Sequence, residues 1–360
     1  MATGIIDHTA TLLRDGHVLV AGGRPSVCSG CDLGTPNTNP MAGARLYDPT
    51  SGTFSSTGGP NGMTTPRANH VAVLLADGRV LLAGGDGANS AVGMQAISTA
   101  EIFDPTKGSF SPTGSMAYRR QQGNATLLAD GRVLIAGGNQ GAPFDPAHEF
   151  APPELFDPAT GAFTLTGSSA DRGFVRYATR LGDGRVFLVV APIDYPFHAE
   201  LYDPVQGTFA SVGPTQLGDY WMVGAHLHDD RVLVVTGGGP DLDHRLTFVD
   251  VFDPRTDSFA PTRQATIDLF AFTATLLEDG RVLLVGLTGR PDATPQTPFA
   301  AIFDPFTDTL TPTGAPAIAR QGQTATPLFD GRVLVVGGGP NVDTRPAYDD
   351  AELYDPAAIR

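Results

Sequence analysis

Residues 70–85 read HVAVLLADGRVLLAGG: two apolar runs, Val71–Leu75 and Val80–Ala83, on either side of Asp77-Gly78. An Asp-Gly pair between two apolar runs is a strong hairpin signal, and it predicts a two-residue type I′ turn with positive φ at both central positions. STAEIFDP (98–105) follows as a third run. TKG (106–108) turns the chain, and SFSPTG (109–114) makes a short fourth run. The unit is therefore four short strands, A to D. No stretch of the chain sustains a helical period between caps, so the reading is all-β.

The phrase returns along the whole chain: TATLLRDGHVLVAGG from Thr9, NATLLADGRVLIAGG from Asn124, TATLLEDGRVLLVGL from Thr273, seven copies in all. The aromatic of strand C serves as a ruler: Tyr47, Phe103, Phe156, Tyr202, Phe252, Phe303 and Tyr354, at intervals of 46 to 56 residues. A period near 50 with four strands per unit predicts a radial array of blades, a seven-bladed β-propeller formed by residues 1–360 as one domain. After Tyr354-Asp355-Pro356 only AAIR remains, so the last blade is expected to lack its outer strand unless the N-terminal residues supply a piece. A longer precursor beginning with such a strand is the other expectation.

The 44 glycines and 30 prolines recur in register with the repeat, which marks turns and not low complexity. The formal charge of −15 is largely architectural. Asp-Pro pairs begin one recurring turn and Asp-Gly pairs another, where Asp caps backbone N–H groups. A nucleic-acid partner is not expected. No apolar run approaches the length of a membrane span, and no signal peptide precedes the first repeat.

Three marks give the chain a family likeness. Diglycines end strand B at Gly22-Gly23, Gly84-Gly85, Gly137-Gly138, Gly237-Gly238 and Gly337-Gly338; an aromatic closes strand C; and Phe54, Phe110, Phe163, Phe209, Phe259 or Leu310 stands in strand D. The chain thus resembles the kelch-repeat β-propellers, in which Trp is usual in strand D, including bacterial kelch proteins and the propeller domain of galactose oxidase. That resemblance implies ligands or partner peptides held at the loops around the central channel. The copper radical oxidases of this group use histidines and tyrosines partly from a further domain, and a Cys–Tyr crosslink. The two cysteines here lie together in one loop, so no cofactor is expected.

The A–B and C–D turns are short and alike, whereas the D–A and B–C connections are long and different. Function is expected on the second face, since rigid scaffolds carry binding residues on variable loops. Eleven residues before each turn glycine, or before Asp230 in blade 5, stand Ile5, Arg67, Arg120, Gly173, Asp219, Leu269 and Arg320. Three residues later come His8, His70, Gly123, Arg176, Met222, Phe272 and Gln323. Arg67, Arg120, Arg176 and Arg320, with His70 and Gln323, are the expected contacts to an anionic group at the channel mouth. The competing reading makes Arg-x-x-His a structural feature of strand A.

Blades 4 to 6 break the pattern with VVAPIDYPFHAE (189–200), LGDYWMV (217–223) and TIDLFAF (266–272). Tyr195, Trp221 and Phe270 are expected ligand contacts, unless these aromatics only plug the channel. Asp219, Tyr220 and Asp268 are the expected catalytic residues, with a carboxylate as general base and an arginine stabilising an enolate-like charge. Cys28-x-x-Cys31 is expected to form a local disulfide, since a single pair supplies only half a zinc site. His226 and His228 share a strand face, but His228 takes a turn position, and no metal site is expected.

Two functional readings remain open. The first is a site for an anionic or sugar-like small molecule, with isomerisation or cleavage as the reactions within its reach. The second is a non-catalytic module docking a protein or glycan on the same face. Either is expected of an extracellular or periplasmic monomer that does not enter a membrane.

Overall fold

The computed structural model describes residues 4–25, 39–57, 62–87, 95–140, 150–169, 173–192, 197–214, 221–237, 247–260, 263–265, 269–288, 296–340 and 347–359. Its regular structure is β-strand, apart from one 3₁₀ turn at Pro356–Ile359 among these residues. Blade 1 shows the unit: Thr9–Leu12, Val18–Ala21, Ala44–Asp48 and Thr53–Thr57 pair in sequence order as one antiparallel sheet. Among the described residues six sheets follow this A–B–C–D order, a seventh has three strands, Gln321–Pro327, Val333–Gly339 and Ala351–Tyr354, and a small eighth pairs Arg67–Ala68, Asp86–Gly87 and Gln95–Ala96.

The A strands pack against one another in a closed cycle. It runs from Thr9–Leu12 through Val71–Leu74, Asn124–Leu127, Gly173–Arg180, Trp221–His226 and Leu269–Leu276 to Gln321–Pro327, which touches Thr9–Leu12 again. That cycle is a β-propeller with strand A innermost. The seam between blades 7 and 1 is tied by the N-terminal segment: Ile5 N donates to Tyr348 O (3.3 Å), and Gly338 N donates to Ile5 O (2.9 Å).

A blade has two apolar faces, and each is covered by the next blade. Strand B is buried along its length in every blade, save for the half-buried last residues Pro192 and Thr288 in blades 4 and 6, as its continuous apolar run predicts. Each inter-blade layer is a separate core. Between blades 1 and 2, Leu13, Leu19, Ala21 and Met63 meet Val80, Leu82 and Phe103. The ruler aromatic packs on the strand-D Phe of its own blade, with ring centroids 5.0 Å apart for Tyr47–Phe54 and 4.8 Å for Phe103–Phe110.

The hairpin turn differs from expectation. Only the glycine has positive φ (Gly78, +90°). Gly78 N donates to Leu75 O at 3.0 Å, and Leu75 N to Arg79 O at 2.8 Å. This is a three-residue loop, a type I turn closed by a left-handed glycine, and not type I′. Asp77 accepts from Arg79 N (3.0 Å) and Arg79 Nε (2.7 Å), which is the capping role expected of it.

Candidate functional site

Three of the expected ligand-binding arginines lie inside their blades. Arg67, Arg120 and Arg320 are at most 2 % exposed. Arg120 Nη2 pairs with Glu154 Oε1 at 2.8 Å and donates to Pro152 O at 2.6 Å, while Nη1 donates to Gly137 O at 3.0 Å. Arg67 repeats the arrangement with Glu101 and Gly84 O, and Arg320 with Glu352 and Gly337 O. Each glutamate also accepts backbone N–H groups of the D–A loop, Ala117 and Tyr118 in the case of Glu154. Burial pulls the Arg67 and Arg120 guanidiniums below their ordinary value, against the pull of their glutamates. Burial also pushes Glu101 up, but the bonds from Arg67 and Thr64 outweigh it and leave the carboxyl below its usual range. These arginines staple loop to blade; they do not stand at the channel mouth.

The sequence carried a signal for this. A carboxylate two residues before the ruler aromatic recurs as Glu101, Glu154, Glu200, Asp250 and Glu352, and gives way to Arg45 and Ala301 in blades 1 and 6. Those two blades have Ile5 and Leu269 where blades 2, 3 and 7 have arginine.

Blade 4 also corrects the alignment. Gln121 bridges Asn139 in blade 3, and Gly173 pairs with Pro192 in blade 4, where the register slips by one between Val175 and Tyr177. Gly173 thus corresponds to Gln121. The counterpart of Arg120 is Arg172, outside the described residues. Arg176 belongs to the slip. It is exposed, with its guanidinium 4.8 Å from the Phe174 ring centroid.

His70 is buried, with Nε2 3.0 Å from Thr9 Oγ1 of the preceding blade, and His8 makes the same contact with Thr324. Burial lowers His8 to about 4 and His70 well below the ordinary imidazole value. Their rings lie over the first glycine of the neighbouring blade's diglycine, where a Cβ on Gly22 would stand 2.8 Å from His70 Cε1. Gln323 is buried and donates to Val285 O (3.2 Å), and Phe270 is fully buried against Leu287. Trp221 opens strand A of blade 5. Asp219, Tyr220, Asp268, Tyr195, Cys28 and Cys31 lie outside the described residues.

A different constellation does occupy the D–A/B–C face, over blades 1 to 3. Asp7, Asn69 and Gln122 stand where strand A enters, with φ of +55°, +52° and +55°. Asn69 N donates to Asp7 O and Gln122 N to Asn69 O, both at 2.9 Å, so a backbone chain steps from blade to blade. Above it Arg24 Nε donates to Asp7 Oδ2 at 2.5 Å, and Arg24 Nη1 lies 3.9 Å from Asp86 Oδ2. Asn69 Nδ2 donates to Asp86 Oδ2 at 2.9 Å. Gln121 lies between Asn139 and Asp86, and turning its amide presents the nitrogen to Asp86. Arg24 and Asp7 remain part-exposed, at 15 % and 22 %, while Asp86 is fully buried. Burial raises the Asp86 carboxyl above its ordinary value, against the bond from Asn69 and the charge of Arg24.

This group is a carboxyl biased toward holding a proton, beside a cation and two amides. Its solvent-reached polar groups are the Arg24 guanidinium and the Asp7 carboxylate, with Asp86 closed off beneath them. The sequence reading missed it, although its signal was present. The residue after the diglycine is Arg24, Asp86 or Asn139 in blades 1 to 3 and glycine (Gly239, Gly339) in blades 5 and 7, so the first three blades carry polar side chains where the others carry none.

Neither the family models nor the curated proteins match this chain. Among solved structures it is similar to a fungal alcohol oxidase of the AA5 family in complex with copper, at 18 % identity and a TM-score of 0.69, covering 96 % of this chain and 73 % of that one. The likeness is one of fold, a galactose-oxidase-like propeller. Among the described residues no three His, Cys, Asp or Glu side chains are grouped to hold a metal. His8 and His70 face threonine hydroxyls across two different blade seams. No helix of the described residues is long and apolar enough to cross a membrane.

Proposed function

We propose that this kelch-type propeller is an extracellular or periplasmic small-molecule-binding protein whose site lies over blades 1 to 3 on the D–A/B–C face. The observation that carries the reading is Asp86, a fully buried carboxyl of raised pKa held among Arg24, Asn69 and Gln121. Arg24 and Asp7 are its part-exposed contacts. Three of the four arginines expected to bind an anion are committed to glutamates, so the ligand class favoured is sugar-like and not strongly anionic. The chemistry open to the set is proton transfer of the isomerase or lyase kind, with Asp86 as the carboxyl of raised pKa and Arg24 facing the charge that develops.

Thermal shift against monosaccharides, sugar acids and small carboxylates tests this, with Asp86→Asn and Arg24→Gln beside the wild-type protein. Stabilisation by a sugar class, lost in Arg24→Gln, supports the site. Stabilisation that both variants retain moves the ligand elsewhere. A flat response to the whole panel turns the search to a protein or glycan partner on this face.

A further inference from the structure

Six of the seven A–B turns carry Asp-Gly, and one of the six lacks the side chain that holds the carboxylate in the other five. The pairs are Asp15-Gly16, Asp77-Gly78, Asp130-Gly131, Asp183-Gly184, Asp279-Gly280 and Asp330-Gly331, while blade 5 has Asp229-Asp230. An Asp-Gly bond is open to an internal reaction, because a glycine nitrogen has no neighbouring Cβ to hinder its attack on the aspartate side chain. The six turns share one backbone. Each glycine has φ between +83° and +91° and donates its N–H to the leucine three residues before, at 3.0–3.1 Å. Each aspartate Oδ1 accepts from the N–H two residues on, at 2.9–3.1 Å. Whatever this backbone does to the reaction, it does six times.

Five of the aspartates are also clamped. Arg79, Arg132, Arg185, Arg281 and Arg332 donate Nε to the Oδ2 of their own turn's aspartate at 2.7–2.9 Å. Four of these arginines reach on to a proline carbonyl of the next blade, Pro158, Pro204, Pro254 or Pro49, at 3.0–3.5 Å. The clamp is thus fixed at both ends. Burial pushes the Asp77, Asp130 and Asp279 carboxyls up, but the bonds from their arginines outweigh it and hold them below the usual range. The bond from Arg332 lowers Asp330 in the same way. A carboxylate held like this stays ionised, which makes it a poor electrophile, and it is not free to turn toward the glycine nitrogen.

Blade 1 has His17 where the others have arginine. His17 Nδ1 lies 3.3 Å from Asp15 Oδ2, out of hydrogen-bond geometry. Arg14, the cation next to Asp15 in sequence, donates to Ala76 O of blade 2. The Asp15 side chain is 58 % exposed, against 43–47 % for the five clamped ones.

We propose that Asp15-Gly16 is a site of spontaneous modification, where the native protein forms a succinimide and from it an isoaspartyl bond. Gly16 N bonds to Asp15 Cγ as a Cγ–O bond breaks. The departing oxygen leaves as water, carrying the amide proton and one proton from solvent. Water then reopens the ring: attack at the side-chain carbonyl restores aspartate, and attack at the main-chain carbonyl leaves isoaspartate. Water is the only other reactant. The isoaspartyl product puts an extra carbon into the main chain at the seam between blades 7 and 1. Phe329 of blade 7 covers that turn, its ring 3.4 Å from where a Cβ on Gly16 would stand.

The full chain, held folded at neutral pH in heavy-oxygen water, reports the reaction. Ring opening fixes one heavy oxygen in either product, and peptide mass spectrometry assigns it to a turn. Asp15 is expected to gain label about fivefold faster than the other five, the factor that about 1 kcal/mol gives. His17→Arg installs the clamp and is expected to bring Asp15 down to the rate of the rest. Arg79→His is expected to bring Asp77 up to the rate of Asp15. In urea, where no clamp survives, the six turns are expected to label alike. Label spread evenly over the folded protein's turns or missing from Asp15, rates unmoved in the two variants, or an Asp15 lead that persists in urea overturns the proposal.

Discussion

Arg120 and Glu154 form a fully buried ion pair, Nη2 to Oε1 at 2.8 Å, that ties the D–A loop of blade 3 to the middle strand of the same blade. Removing one member leaves a charge in the interior with no counter-ion. Arg120→Ala is expected to destabilise the protein by about 3–5 kcal/mol, a loss typical of broken buried pairs. Arg120→Met combined with Glu154→Leu is expected to recover much of it, since well-packed apolar residues replace such pairs at little cost. Chemical denaturation of the two variants checks this. A ligand-contact role would instead show Arg120→Ala with wild-type stability.

The inner histidines predict a sign for the pH dependence. His8 is lowered by burial to about 4 from 6.5, and His70 is shifted the same way. A lowered imidazole pKa means that the unfolded chain takes up protons before the native one. Stability is then complete above pH 6.5 and falls as pH drops from 6.5 toward 4, by up to about 3 kcal/mol from His8 alone. Denaturation midpoints between pH 7 and pH 4 report it. His8→Gln is expected to flatten the slope, because glutamine holds its bond without titrating.

What was legible in the sequence was the part the scaffold repeats. The ruler aromatics and the buried B strands follow from period and pattern, because every blade solves the same burial problem. The ring of arginines was legible as residues but not as chemistry. Arg67 and Glu101 are 34 positions apart, and only the fold shows that one guanidinium serves both a carboxylate and the Gly84 carbonyl. Asp86 was hidden for the opposite reason: it follows a diglycine whose meaning is structural, and its raised pKa comes from burial, against the bond from Asn69 and the charge of Arg24, which no spacing rule encodes. The blade 4 alignment failed because a one-residue slip at Val175/Tyr177 moves the frame without a mark in composition.

The first glycine of the diglycine in blades 1, 2, 3 and 7 is set by both conformation and space. Gly22 has φ of +66°, and a Cβ there would lie 2.3 Å from Arg67 O and 2.8 Å from His70 Cε1. The blocking oxygen belongs to the backbone of the next blade and cannot turn aside. Gly22→Ala is expected to cost about 2–4 kcal/mol from strain and overpacking together. Gly52→Ala has the strain without the clash, since nothing lies within 4 Å of its Cβ, and is expected to cost less. The difference in thermal midpoint between the two variants isolates the contact across the blade seam.

Asp86 sets stability against function. Its carboxyl is raised, so the native state binds that proton more tightly than the unfolded chain does. The resulting stabilisation is present at low pH and is lost as pH rises from the unfolded value near 3.8 through the native one. At neutral pH a charged Asp86 therefore opposes folding. Asp86→Asn keeps an oxygen to accept from Asn69 Nδ2 and removes the titration. Its midpoint is expected to rise relative to wild type at pH 7 and to show no gain at pH 3, while the response to sugars weakens. Paired melts at the two pH values, with and without ligand, measure both effects. A variant less stable than wild type at pH 7 would mean that the Asp86 charge, paired with Arg24, supports the fold and is not strained by it.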